Sequence, residues 1–385
     1  MSMRDHSVSG VRTNDLAGCH IAILTNARIG DQRSTSSMIG YGELLLDGAR
    51  KTGARVSEWR CMSLTAKLPL RGRWMKLALQ IDRFILTPFS LIGRRADLVH
   101  VADHGNSIYL PFLRAGKTVV TVHDLIPFLA RDGLLRGFRP SVFGLLLMQF
   151  TLFCLERVGV LIAPSRSTAQ DMMTYLPLKG AETHIIPNAV FLPMERVSVA
   201  AASDFRSRHD LQADTKVILH LGRSFYKNRG FVLEIFAHVR RTVPEACLLL
   251  VGAIEPRLET QAAELGVTDG MRVIDQLPRE EIATLYTSSN VLLFPSLYEG
   301  FGYPVIEAGL CGTPVVCSDG GSLAELAQKA KVLPLSAGAA NFAKAVITAM
   351  NAPRQLVAPI CTTEDWFKRH AVLYGQLLGS RNGTE

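Results

Sequence analysis

Short apolar runs recur along the first half of the chain, at 20–25, 98–101, 118–123, 158–163 and 184–187, and longer segments of helical period separate most of them. Around 197–202 the apolar blocks give way to small and polar residues, and a second series follows at 217–221, 248–251, 272–275, 291–294, 314–317 and 331–335. These runs are apolar throughout instead of alternating with polar residues, as parallel strands covered by helices on both faces require. The pattern predicts an α/β protein of two doubly wound, Rossmann-like parallel-sheet domains facing each other across a cleft. In such sheets ligands bind beyond the carboxyl ends of the strands. The residues just past the expected strands with chemistry to offer are His104, His123, Ser165, Arg223 and Glu299.

A length of 385 residues suits two domains, since single cores rarely grow past ~250–300 residues. With 48% hydrophobic and 20% charged residues the chain is too apolar to be disordered. Its seven cysteines are odd in number and scattered, with no CxxC pair to suggest a zinc or redox site. Positions 1–18 are polar and lack the apolar core of a secretory signal, so a cytoplasmic location is expected. The longest uncharged apolar stretch, Val142–Leu155, has 14 residues, whereas a membrane span needs ~20.

Charge is unevenly divided, with 23 Lys and Arg against 14 Asp and Glu up to Val190, and 19 against 20 after it. A nucleic-acid binder has no need of that asymmetry, and neither a zinc-finger spacing nor an RNA-binding aromatic run accompanies it, so no nucleic-acid partner is expected. An anionic membrane surface or a phosphorylated ligand fits better.

Three motif readings fail on inspection. Gly116-Lys117-Thr118 looks like the end of a phosphate-binding loop, but Pro111 stands where the first glycine is needed and the triplet precedes a strand, so a turn is expected. Gly40-Tyr41-Gly42 is followed by Glu43-Leu44-Leu45 and does not complete a dinucleotide fingerprint. No Asp-x-Asp triplet occurs, so no carboxylate-held metal is signalled and no cofactor is expected. A diphosphate would have to be met by Arg, Lys and backbone N–H groups.

The densest signal is Phe294-Pro295-Ser296-Leu297-Tyr298-Glu299-Gly300-Phe301-Gly302-Tyr303-Pro304-Val305-Ile306-Glu307-Ala308. An apolar strand runs into a glycine-rich turn, Pro304 suits the first turn of a helix, and Gly312-Thr313-Pro314 ends that helix. The helix start offers N–H groups and a positive dipole end to an anion, while Gly300 and Gly302 let backbone approach it. Glu299 and Glu307 can accept hydrogen bonds from sugar and ribose hydroxyls. By itself, Glu307 would read as a carboxylate complementing the helix dipole.

This stretch resembles the Glu-x7-Glu signature of the retaining glycosyltransferases of family 4, which have the two-domain GT-B architecture. The likeness extends to Val217-Ile218-Leu219-His220-Leu221-Gly222-Arg223 with Lys227-Asn228, similar to the family's cation pair on the donor diphosphate; Arg229, by contrast, fits a solvated surface charge. Val119-Val120-Thr121-Val122-His123-Asp124 is similar to the strand whose His faces the donor sugar. Leu161-Ile162-Ala163-Pro164-Ser165 and Ile185-Ile186-Pro187-Asn188-Ala189 resemble further blocks, with Ala189 replacing the usual glycine. The family's Gly-Gly loop is replaced by Ser37-Met38 before Ile39-Gly40-Tyr41, leaving Gly40 as a candidate for phosphate or sugar. His104 is a candidate on the acceptor side, with capping or packing an equal alternative. The resemblance implies an N-terminal acceptor-side domain at 1–195, a nucleotide-sugar domain at 196–360 and a last helix, within 361–385, crossing back to the first domain. It places the donor base against backbone near 273–276.

Positions 67–95 hold seven basic residues (Lys67, Arg71, Arg73, Lys76, Arg83, Arg94, Arg95) and one acid, Asp82, interleaved with Trp74, Leu77, Phe84, Ile85 and Phe89. That mixture fits an interfacial helix on an anionic membrane, and it equally fits an amphipathic domain helix with a solvated basic face. The expected activity is metal-independent, retaining transfer of a hexose from a nucleotide diphosphate sugar to a glycan or lipid-linked saccharide in surface polysaccharide synthesis. His123 and Glu299 are the catalytic candidates, and Arg223, Lys227, Gly300, Phe301, Gly302 and Glu307 the donor-binding ones. The alternatives are a sugar-nucleotide epimerase or hydrolase on the same scaffold and a non-catalytic binding protein.

Overall fold

The computed structural model describes residues 16–27, 37–63, 65, 68, 72–135, 137, 139–176, 178 and 180–379. The chain divides into two compact units: the described residues of Met1–Phe128, Pro140–Phe191 and Cys361–Glu385 form the first, and those of Leu129–Arg139 and Leu192–Ile360 the second.

The first unit is built on β1 (His20–Thr25), β2 (Arg55–Arg60), β3 (Arg95–Val101), β4 (Arg114–Thr121), β5 (Val160–Ala163) and β6 (Glu182–Ile185). They form one six-stranded sheet in the order β2-β1-β3-β4-β5-β6, all neighbours parallel. The central strands β1, β3 and β5 are apolar on both faces because both faces are covered. Ala22 and Leu24 join a core with Val99, Val120 and Tyr109, while Ile21 and Ile23 point the other way into a core with Tyr41, Leu45 and Trp366. Trp366, Leu373 and Tyr374 come from the helix Thr363–Gly379. A buried polar string ties that helix to the sheet: the Tyr374 hydroxyl lies 2.6 Å from His100 Nδ1, His100 Nε2 lies 2.8 Å from Thr121 Oγ1, and Thr121 Oγ1 lies 2.9 Å from the Tyr41 hydroxyl.

Two sequence readings are corrected here. Strand β2, Arg-Val-Ser-Glu-Trp-Arg, was not expected; it is an edge strand with only Trp59 fully buried, so it carries no apolar run to betray it. Gly116-Lys117-Thr118 is not a turn but lies inside β4, with Lys117 opposite Leu98.

The second unit comprises β7 (Val217–Leu221), β8 (Cys247–Val251), β9 (Met271–Ile274), β10 (Val291–Phe294), β11 (Val315–Ser318) and β12 (Lys331–Leu333). Its parallel order is β12-β11-β10-β7-β8-β9. Chain order therefore reverses between β7 and β10, which pair through Ile218 with Val291 and Leu219 with Leu292. Such a switch point leaves a crevice at the carboxyl ends of the two strands. Among the described residues, no helix is long and apolar enough to cross a membrane.

Candidate functional site

Three loops meet at the carboxyl end of the second sheet, following β7, β10 and β11. Leu297 N donates to Tyr226 O at 2.7 Å, Asn228 Nδ2 to Pro295 O at 3.1 Å, and Ser322 N to Glu299 O at 2.9 Å. The β11 loop fits because Gly321 has no side chain: a Cβ there would collide with the Glu299 carbonyl oxygen, and its φ of +63° is disfavoured for other residues.

Two cations and two carboxylates stand on this frame. Lys227 Nζ lies 2.7 Å from Glu299 Oε1 and 4.6 Å from the centre of the Phe294 ring. Glu307, on the helix Tyr303–Leu310, accepts a 2.9 Å hydrogen bond from the Tyr286 hydroxyl. Burial pushes the Glu307 carboxyl up to about 7, against the opposing pull of Tyr286 and Lys227. Arg223 is exposed, and the start of its side chain packs over Gly252, where a Cβ would stand 2.7 Å from Cγ.

Arg229 is corrected: it is a buried clamp, not a solvated surface charge. Its guanidinium donates to Gly222 O, Ala253 O, Val251 O and Gly252 O at 2.8, 2.8, 2.7 and 3.0 Å. It thereby joins the loop after β7, which carries Arg223 and Lys227, to the loop after β8. Sequence reasoning also passed over Tyr286 and Gly321. The glycine pair after the β11 run was a visible signal for the latter; Tyr286 stands 21 positions from its partner, and no local pattern marks it.

The remaining predicted residues of this unit are placed as follows. Gly302, at φ 82° and ψ 47°, begins the helix Tyr303–Leu310, no side chain caps that end, and a proline stands in its first turn. Gly300 is buried in the turn, and Phe301 turns inward, its ring edge-on to Tyr303 with centroids 5.1 Å apart. Glu307 sits mid-helix and buried, so it does not act as a dipole-complementing surface carboxylate.

In the first unit, His123 is buried two residues past β4, its Nε2 donating to Ala102 O at 2.8 Å and its ring edge-on to Tyr41 at 4.6 Å. Burial lowers its pKa, leaving the imidazole neutral at pH 7. His104 opens a short helix, His104–Phe112, with Nδ1 3.6 Å from Asp103 Oδ1. Asp103 itself accepts from Asn26 Nδ2 at 3.0 Å and Gly105 N at 2.9 Å. Gly40 lies in the first turn of the helix Ser37–Arg50, with the Phe191 ring 2.7 Å from where its Cβ would be, and positions 28–36 before that helix lie outside the described residues. Ser165 caps the helix Arg166–Tyr175, accepting from Thr168 N. Among the described residues, no group of three or more His, Cys, Asp or Glu side chains is arranged to hold a metal ion.

The family model for glycosyl transferases group 1 matches residues 202–360, and that for glycosyltransferase family 4 matches residues 18–192. The chain belongs to the group 1 glycosyltransferases. One relative of this group 1 chain is the MMP alpha-(1->4)-mannosyltransferase of Mycolicibacterium hassiacum, 32% identical over 44% of this chain and 39% of the relative. Another is the D-inositol 3-phosphate glycosyltransferase of Xylanimonas cellulosilytica, 29% identical over 42% of this chain and 41% of the relative. The matched regions thus span about two fifths of these relatives. Among solved structures, sucrose-phosphate synthase from Thermosynechococcus elongatus aligns with a TM-score of 0.68 at 20% identity, covering 94% of this chain and all of that one. Anabaena HepE, solved with UDP-glucose, aligns with a TM-score of 0.63 at 17% identity, covering 95% of this chain and 100% of that one. These likenesses establish the GT-B fold for this glycosyltransferase.

Proposed function

We propose that this glycosyltransferase moves a hexose from a nucleotide diphosphate sugar to a glycan or lipid-linked saccharide, with retention at the anomeric carbon and without a metal ion, in surface polysaccharide synthesis. The observation that carries the reading is the Lys227–Glu299 pair at the switch point between β7 and β10, with Arg223 and Glu307 on the same frame. Breaking the glycosidic C–O bond sends its electron pair to the diphosphate. Arg223 and Lys227 offset the charge that develops there, Arg as a planar fork and Lys as a point charge. Glu299 accepts from the sugar hydroxyls and Glu307 from the ribose. In the first unit, His123 has Nε2 engaged by Ala102, which leaves Nδ1 as the ring nitrogen able to accept from a sugar hydroxyl. The UDP-glucose bound by HepE and the mannosyl transfer named for the mycobacterial relative favour a nucleotide hexose donor.

The test is incubation with a panel of nucleotide sugars, with and without glycan acceptors. Acceptor-dependent release of nucleotide diphosphate, a product anomer matching the donor by NMR, and activity that survives EDTA are expected. Inversion would refute retention, and loss of activity on chelation with recovery on adding Mg²⁺ would refute metal independence. Epimerisation or hydrolysis of the donor alone, or binding without turnover, would overturn the transfer itself.

A further inference from the structure

Two helices of the first unit carry apolar side chains on their outer faces that no described part of the chain covers. The first runs from Arg73 to Leu91 through one wide π-helical turn, Asp82–Leu86. Its inner side is Ala78, Thr87, Pro88 and Leu91. Its single acid, Asp82, also turns inward, accepting from Thr65 N at 3.1 Å and Thr65 Oγ1 at 2.6 Å. Its outer side shows Trp74, Leu77, Ile81, Phe84, Ile85 and Phe89, with Trp74 56% and Phe89 71% exposed. Positions 74, 77, 81, 84 and 85 lie on one stripe of a helix.

The second helix, Val142–Leu155, has no charged residue in 14 positions. A helix apolar all round is ordinarily buried, yet Val142, Phe143, Leu146, Phe150 and Phe153 stand exposed, Val142 by 76% and Leu146 by 65%. The two faces are continuous, because Phe84 and Phe143 meet edge to face with ring centroids 5.7 Å apart. Basic residues fringe this surface. Arg73, Lys76, Arg94 and Arg95 are exposed beside the first helix, and Arg157 lies over the Phe153 ring at 3.9 Å. Lys67 and Arg71 of the same basic run lie outside the described residues.

Contiguous exposed apolar surface marks a docking site, and charge selects the occupant. A second copy of this chain would bring the same basic fringe against itself. An anionic bilayer offers opposite charge to the fringe and an acyl boundary to the stripe, which is how helices of mixed basic and aromatic character lie in an interface. We infer that the helical stretch from Arg73 to Leu91 and the helix Val142–Leu155 together form a surface that inserts Trp74, Phe89, Leu146 and Phe150 into the headgroup–acyl boundary of an anionic membrane. The sequence reading placed membrane contact in 67–95 alone; the uncharged second helix is the added insertion element. This inference is independent of the transfer reading, since vesicle binding and donor turnover are measured separately.

The full chain is mixed with vesicles of phosphatidylcholine containing 30% phosphatidylglycerol, and with phosphatidylcholine vesicles alone. Co-sedimentation with the former, weakening with salt, is expected. Trp59 and Trp366 are buried in the protein, so Trp74 is the one exposed tryptophan of three. Its emission should move to the blue on binding and be quenched by lipids brominated along the acyl chain, and Trp74→Phe should abolish both signals. The exposed-site double variant Leu146→Glu/Phe150→Glu should retain the wild-type melting curve and lose at least tenfold in vesicle affinity. Failure to co-sediment at low salt overturns the proposal. So does binding with no Trp74 quenching and no loss in the double variant, which would mean purely electrostatic adsorption. Concentration-dependent self-association abolished by the double variant, without vesicle binding, would assign the surface to a second copy instead.

Discussion

Lys227 and Glu299, 72 residues apart, form a 2.7 Å ion pair with side chains only 13% and 8% exposed. The pair is the hinge of the candidate site's electrostatics, because the cation proposed for the diphosphate already neutralises the carboxylate proposed for the sugar. An ammonium has three donor hydrogens and can keep Glu299 while reaching a phosphate oxygen.

Removing one partner of a pair this withdrawn leaves an uncompensated charge, whereas removing both leaves none. Lys227→Ala should therefore destabilise the protein by about 1–3 kcal/mol, and the double variant Lys227→Ala/Glu299→Gln by less. Urea unfolding of the two single variants and the double measures the coupling; strictly additive losses would show that the pair contributes nothing.

Arg223 has no ion-pair partner among the described residues, so its substitution should spare the fold and act on the ligand. Arg223→Ala should weaken nucleotide diphosphate binding about tenfold or more, from loss of a charge-assisted hydrogen bond of ~1.5–3 kcal/mol, and leave nucleoside binding nearly unchanged. Calorimetric titration of both ligands separates the two. Equal loss for both would remove Arg223 from the diphosphate.

Glu307 makes stability depend on pH. Its folded pKa of about 7 lies above the usual 4.5, so the folded state binds the proton more tightly than the unfolded state does. Stability is undiminished below about 4.5, falls as pH rises through the window between those values, and stays reduced above about 7. Glu307→Gln keeps an acceptor for Tyr286 and removes the titration. Its Tm should match wild type at pH 4 and exceed it by several degrees at pH 8, a gain on the order of 1–3 kcal/mol. A difference in Tm that is constant with pH would show that Glu307 does not titrate in this range.

Arg229→Met should cost about 3–5 kcal/mol, because four backbone carbonyls lose their donor inside the protein. Lysine cannot replace the fork, so Arg229→Lys should recover only a small part of the loss. Denaturant midpoints of the three proteins decide this; a wild-type midpoint for Arg229→Met would refute the clamp.

Much of the fold was legible because burial on both faces imposes uninterrupted apolar runs, and most of the strands carry such a run. Edge strand β2 escaped, since polar residues suffice where one side of the sheet meets solvent. At the site, the turn from Glu299 to Glu307 was readable from glycine, proline and the spacing of two carboxylates, all of them local signals. The packing of Gly40 was not, because Phe191 covers it from 151 positions away in the chain, and neither was the burial of Arg229, whose carbonyl partners sit on two different loops.

By itself, then, the sequence determined the parallel-sheet class, the family resemblance and which short segments carry chemistry, since each of these is written in periodicity and in neighbouring residues. Only the tertiary structure decided that β7 lies beside β10, which is what brings Lys227 to Glu299. It alone decided that Tyr286 meets Glu307, that Asp82 turns inward, and that an uncharged helix stands exposed beside a basic one. Strand order and side-chain direction are set by how whole layers pack, and packing joins residues that no local pattern relates.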